Sequence, residues 1–303
     1  MQFTAADLPD LSGTTAVVTG ANSGIGYVTA RELARHGAAV TLACRNADKA
    51  EAARAAIIAE VPRGSVEVGA LDLSRLESVR DFAARWDGPL DLLVNNAGVM
   101  APLRRRTTDD GFELQMGTNH LGHFALTGRL LPALLAAPRP RVVTVSSVAH
   151  NGGVLNLDDL QSVAGYTPQR SYGNSKLANL MFALELQGRS TAAGSNVVST
   201  AAHPGLADTG LVTSRDGVGS SRVVRLLAPL NKVISQSADA GARPTLYAAT
   251  VAEPGSYTGP TGFKEWRGAP GPARVSDRAA DAVVAAALWD VSSELTGVTY
   301  AWR

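Results

Sequence analysis

The chain has 303 residues, 45% of them apolar, with 30 glycines, few aromatics and a formal net charge of +1. That length and composition fit one large α/β domain, or two small ones, with packed helices against a buried sheet. A charge near zero, with no basic stripe carrying interleaved aromatics, speaks against a nucleic-acid partner.

Residues 1–10 lack the basic start and apolar core of a secretion signal, and residues 1–12 read as a leader that packs on the domain. Thr15-Ala16-Val17-Val18-Thr19 is a short apolar run rich in β-branched residues, so a buried strand is predicted. Gly20-Ala21-Asn22-Ser23-Gly24-Ile25-Gly26 follows, then a helical pattern over 26–36 that Gly37 stops. Strand, glycine turn and helix form a phosphate-binding arrangement, because the glycines admit a close ligand and the helix start offers free N–H groups. A plain tight turn is the alternative.

A second strand is predicted over 40–44. Cys44, the only cysteine, leaves no disulfide framework and no multi-cysteine metal site. An NAD-selective site usually has an acid after this strand; here stand Cys44-Arg45-Asn46. A guanidinium suits a 2′-phosphate, so NADP(H) is favoured and NAD(H) remains possible. The alternative is that Arg45 pairs with the next helix, 47–60. A third strand is predicted over 66–73, where Asp72 either accepts from an adenine amino group or caps a helix beginning near Ser74. A fourth, 90–94, ends in Asn95-Asn96-Ala97-Gly98, small and amide residues that suit a cofactor crevice. Arg104-Arg105-Arg106 reads as a solvated loop or a phosphate or partner contact.

A long helix is predicted over 112–136, with Asn119 inside it where Asn is a poor helix former. His120 and His123 lie on it too, and two histidines without a third nearby ligand do not make a metal site. The strand 141–147 ends in Ser146 and Ser147, and 148–169 is irregular. Beyond Lys176, Leu177, Leu180, Met181 and Leu184 recur at helical spacing, which places Tyr172 near a helix start with Lys176 one turn on. A phenol beside an ammonium is a usable acid/base, since the positive charge favours the phenolate. The remaining elements are a strand at 196–202, closed by His203-Pro204-Gly205, a lid over 206–239, a helix at 238–250, a short strand around Gly262-Phe263 and a final helix at 278–296. The apolar stretches 130–137 and 282–289 are far too short to span a membrane. Alternating strand and helix predict one Rossmann-type, doubly wound parallel sheet of about seven strands in three layers. The chain reads as soluble and cytoplasmic, and its Ala- and Arg-rich composition as bacterial.

Together these residues resemble the short-chain dehydrogenase/reductase family over nearly the whole chain. The carriers are Thr19-Gly20-x-x-x-Gly24-x-Gly26, Asn95-Asn96-Ala97-Gly98, Asn119, Ser147, Tyr172-x-x-x-Lys176, and Pro204-Gly205 with Thr209. Thr118 to Phe124, Val145 to His150, Ser175 to Asn179 and Leu295 to Val298 look most like the branch holding retinol dehydrogenases, the WW-domain oxidoreductase and protochlorophyllide reductases. The resemblance implies a catalytic set of Asn119, Ser147, Tyr172 and Lys176. Tyr172 would exchange the proton, Lys176 would lower its pKa and hold the ribose, Ser147 would bind the carbonyl oxygen, and Asn119 would anchor a water behind Lys176. It implies a cofactor site of Gly20, Asn22, Ser23, Gly24, Ile25, Gly26, Arg45, Asp72, Leu73, Asn96, Ala97, Gly98, Pro204, Gly205 and Thr209, with Tyr172 and Lys176 facing the nicotinamide end. The expected function is NADP(H)-dependent interconversion of an alcohol and a carbonyl on a small, hydrophobic substrate. The alternatives are carbon–carbon double-bond reduction and a catalytically silent NADP(H) sensor. Family members are commonly homo-oligomers.

Overall fold

The computed structural model describes residues 3–100, 102–206 and 236–302. Thr209 and nearly all of the expected lid lie outside the described residues. The eight strands β1 (Thr15–Thr19), β2 (Ala39–Cys44), β3 (Ser65–Ala70), β4 (Leu92–Asn95), β5 (Arg141–Val145), β6 (Val198–Ala202), β7 (Tyr257–Pro260) and β8 (Pro270–Pro272) form one sheet in the order β3-β2-β1-β4-β5-β6-β7-β8. All pairs are parallel except β7 with β8. The count is therefore one more than expected. The strand expected around Gly262-Phe263 is instead β7, just before it, with Phe263–Glu265 forming a single turn of 3-10 helix.

Side chains alternate between the two faces of each strand, and β1 shows the result. Ala16 and Val18 pack with α1 (Gly24–Arg35), α2 (Ala47–Glu60) and the helix Ala238–Thr250, while Val17 packs on the opposite face with Phe82 and Phe124. Helices cover both faces, giving the expected three layers. Asn46 caps α2 by accepting from the Lys49 N–H, which sets its start at Ala47.

Two helices differ from expectation for identifiable reasons. The stretch expected as one helix over 112–136 runs as a short α-helical piece Leu114–Met116, a π-helical turn Gly117–Leu121, then Gly122–Arg129 and Leu131–Ala136. Pro132, lacking an N–H, ends the regular ladder near Leu130. The final helix starts at Ala282 and not at 278, because the Asp281 carboxylate accepts from the Val283 and Val284 N–H groups. The leader does pack on the domain: Leu8 is buried, and the Phe3 and Tyr247 rings meet edge to face at 5.2 Å.

Candidate active site

The strand order reverses between β1 and β4, so a crevice opens at their C-terminal ends. The glycine turn leaves β1 and the turn 95–98 leaves β4, both into that crevice. Gly20 has φ +67° and Gly24 φ +56°, a region that favours glycine. A Cβ on Gly20 would come within 3.0 Å of Ala97, and one on Gly26 would meet the Asn96 amide and lie 2.6 Å from the Gly20 carbonyl. Ser23 precedes α1 without a side-chain cap, which leaves the first N–H groups of that helix free for an anion. Cys44 is buried beneath the turn, and burial pushes its thiol up, opposed by the backbone N–H groups of Ala21 and Asn22. This bare, positively polarised cradle fits a dinucleotide pyrophosphate.

Arg45 is exposed and makes no hydrogen bond or ion pair among the described residues, so it does not pair with α2. Asp72 lies beyond the end of β3. Its Oδ1 accepts from the N–H (3.0 Å) and hydroxyl (2.6 Å) of Ser74 in a local turn, and the following helix, Leu76–Ala84, takes its N-terminal partner from Asp110 instead. Asp72 is thus a turn residue and does not cap that helix. Leu73 is buried beneath Gly122.

On the other side of the crevice, the helix Pro168–Ala192 carries Tyr172 in its second turn. Gly173 and Gly153 let this helix approach the turn Val148–Gly152: a Cβ on Gly173 would come 2.9 Å from the Ala149 carbonyl. That approach sets the Ser147 hydroxyl, which accepts from the Ala149 N–H at 3.2 Å, beside the Tyr172 phenol, where it favours the phenolate. Ser146 points elsewhere; its hydroxyl donates to the Lys176 carbonyl at 2.7 Å. Lys176 is buried, its Nζ 5.8 Å from the centre of the Tyr172 ring and 3.0 Å from the Val145 carbonyl, to which it donates. Burial pushes Lys176 down to about 8. Burial also pushes the Tyr172 phenol up to about 12, partly opposed by the Ser147 hydrogen bond. The opposing influence is the Ser147 hydroxyl and not Lys176, whose ammonium is turned toward the Val145 carbonyl.

Asn119 sits in the π turn. Its side chain is fully paired, accepting from the Val99 N–H (2.8 Å) and donating to the Val99 carbonyl (3.0 Å) and Ser175 hydroxyl (2.9 Å). A Cβ on Gly98 would come 3.2 Å from Asn119 Oδ1 and 3.7 Å from Lys176 Nζ, so the turn after β4 lies directly against this pair. Gly205 has φ +67°, and its N–H donates to His203 Nδ1 at 3.2 Å, so the His203 Nε2–H donates to Glu265 at 3.1 Å. His203, Tyr257 and His150 form a buried cluster behind Ser146 and Ser147. His150 Nδ1 contacts the Ser147 carbonyl at 2.8 Å, and the Tyr257 hydroxyl lies 3.4 Å from the same ring nitrogen. Sequence reasoning missed Tyr257, His150 and Glu265 because their partners lie up to 107 residues away, beyond any local periodicity. Among the described residues no three His, Cys, Asp or Glu side chains converge as metal ligands, and no helix is long and apolar enough to cross a membrane.

A model of the short chain dehydrogenase family matches residues 14–217. The chain belongs to the short-chain dehydrogenase family. It is 40% identical over 294 residues to human retinol dehydrogenase 13, covering 95% of this chain and 86% of that protein. It is also 40% identical over 258 residues to a polyprenol dehydrogenase of Danio rerio, covering 83% and 78%. A solved structure of an uncharacterized protein from Mycobacterium paratuberculosis superposes with a TM-score of 0.83 at 48% identity, covering 99% of this chain and all of that one. Within the short-chain dehydrogenases the chain lies in the retinol dehydrogenase branch. Its class of chemistry is NAD(P)(H)-dependent oxidation and reduction at CH–OH groups.

Proposed function

We propose that this short-chain dehydrogenase, a single Rossmann domain, interconverts a hydrophobic alcohol and its carbonyl, with NADP(H) as the preferred cofactor and Tyr172 as the proton-transfer residue. The observation that carries the reading is the Tyr172 ring with the Nζ of buried Lys176 5.8 Å from its centre and Ser147 beside it at the end of β5. Two O–H groups on neighbouring side chains can hold a single substrate oxygen. Bound NADPH supplies the hydride. The Gly20–Gly26 cradle and the turn 95–98 would hold the dinucleotide, Arg45 its 2′-phosphate, and Lys176 its nicotinamide ribose. Tyr172, protonated at neutral pH, gives its proton to the carbonyl oxygen while Ser147 holds that oxygen in place. The names of the relatives, retinol and polyprenol dehydrogenases, support an apolar alcohol as substrate class.

The test is turnover of NADPH with a panel of long-chain and cyclic aldehydes, ketones and quinones. Tyr172→Phe is expected to lose about 10²–10⁴-fold in kcat while still binding NADPH. Undiminished turnover in that variant would remove Tyr172 from the mechanism. NADPH binding without turnover on any carbonyl, in the unaltered protein, would favour a silent sensor.

A further inference from the structure

His123 is fully buried, and no step of the proposed reaction uses it. Four groups surround the Thr19 hydroxyl oxygen: the Asn96 and Ala97 N–H groups at 2.9 Å each, His123 Nε2 at 2.9 Å, and the Val94 carbonyl at 3.3 Å. A hydroxyl has two lone pairs and one proton. The two backbone donors occupy the lone pairs, so the proton is left for the imidazole, the nearer acceptor. On the other side of the ring, Nδ1 lies 2.9 Å from the Asn119 carbonyl oxygen, which can only accept. Nδ1 must then carry the ring proton, and Nε2 must accept from Thr19.

The direction of every bond follows. Asn96 and Ala97 donate to Thr19, Thr19 donates to His123, and His123 donates to the carbonyl of Asn119. The Asn119 amide donates to the Ser175 hydroxyl, which donates to the carbonyl of Tyr172 at 2.8 Å. Two directed runs of hydrogen bonds, joined through the covalent frame of Asn119, therefore link the turn that faces the cofactor to the backbone of the proton-transfer residue. Burial, aided by the nearby charge of Lys176, keeps the ring neutral, as this chain requires.

We propose that His123, fixed as its Nδ1–H tautomer, is a positioning residue that couples the cofactor-side turn at Asn96-Ala97 to the π turn of Asn119 and, through Ser175, to Tyr172. The proposal rests on the reading of Tyr172 as the proton-transfer residue. An ordinary packed core histidine would fill the same volume without needing one tautomer or one orientation.

The 15N shifts of labelled histidine in the unaltered protein identify the tautomer without any turnover. Nδ1 protonated and Nε2 bare is expected; the reverse would overturn the proposal. Kinetics then separate positioning from packing. His123→Leu is expected to lower kcat at least about tenfold, ~1.4 kcal/mol. His123→Asn places an amide N–H near the position of Nδ1 and is expected to recover much of that loss. Equal kcat losses in both variants, at matched thermal stability, would reduce His123 to core packing. Should His123→Leu fail to fold, the tautomer measurement and the comparison of His123→Asn with the unaltered protein still decide. If the unaltered protein turns over no carbonyl, the reading of the reaction fails while the tautomer result stands by itself.

Discussion

The ammonium of Lys176 donates to the carbonyl oxygen of Val145 at 3.0 Å in a pocket that leaves the lysine 3% exposed. Its pKa falls from 10.5 to about 8 because burial penalises the charge. Between those two values the unfolded chain binds the proton and the folded one does not, so this group makes stability rise with pH across that window. Below pH 8 both states are charged and the folded state bears the full penalty. Lys176→Met is therefore expected to be more stable than the unaltered protein at pH 7, by about 1–3 kcal/mol, and inactive. The gap should narrow as pH rises from 8 to 10, read by urea melts at each pH. A variant destabilised equally at all pH values would contradict this account.

Activity should follow the same group. The kcat/KM for NADPH reports the free enzyme. It is expected to fall as pH rises through about 8, where Lys176 loses its charge. The phenol of Tyr172, pushed up to about 12, adds no second limb below pH 10. Lys176→Arg, which stays charged, should abolish the limb whatever its effect on the plateau. A limb that persists unchanged in Lys176→Arg would assign it to another group.

The two serines at the end of β5 should separate cleanly. Ser147 lies beside the Tyr172 phenol and favours its ionised form, whereas Ser146 donates to the Lys176 carbonyl at 2.7 Å. Ser147→Ala is expected to cost about 10²–10³-fold in kcat, and about 0.5–2 kcal/mol of stability is lost with its cap of the turn Val148–Gly152. Ser146→Ala leaves a buried carbonyl short of a donor and should cost about 1–3 kcal/mol of stability, with the smaller effect on kcat. The opposite pattern would exchange their roles.

Arg45 stands exposed beyond β2, with no hydrogen-bond or ion-pair partner among the described residues. Arg45→Asp should weaken NADPH much more than NADH, by about 1.5–3 kcal/mol for the lost charged hydrogen bonds, with repulsion of the phosphate adding to it. Titration of both cofactors by fluorescence checks this. Equal weakening of the two would refute a 2′-phosphate role.

Local chemistry was legible where it acts locally. The β-branched run Thr15–Thr19 and the helix Ala47–Glu60 are read from neighbours in sequence, and both elements have those bounds. The edge strand Pro270–Pro272 was not legible, since Pro and Gly argue against a strand and are tolerated only at an edge. The order of residues along the helix gave Tyr172 and Lys176, but not the shift of the phenol upward. That shift depends on what encloses the pair, including β5 and the turn after it. Similarly, Asn119 was singled out as a poor helix former, yet its partners Val99 and Ser175 come from a different strand end and a different helix.

The π turn Gly117–Leu121 holds one residue more than an α-helical turn would. Each residue of an α-helix turns the chain by about 100°, so the extra one sets the phase between the two halves of this segment. Deleting a single residue here would restore a smooth helix while swinging Asn119 away from Ser175, or His123 away from Thr19. A conservative-looking point deletion should then be far more damaging than a substitution at any one of these positions. Insertions and deletions in natural relatives are accordingly expected to avoid this turn and to gather in the loops on either side.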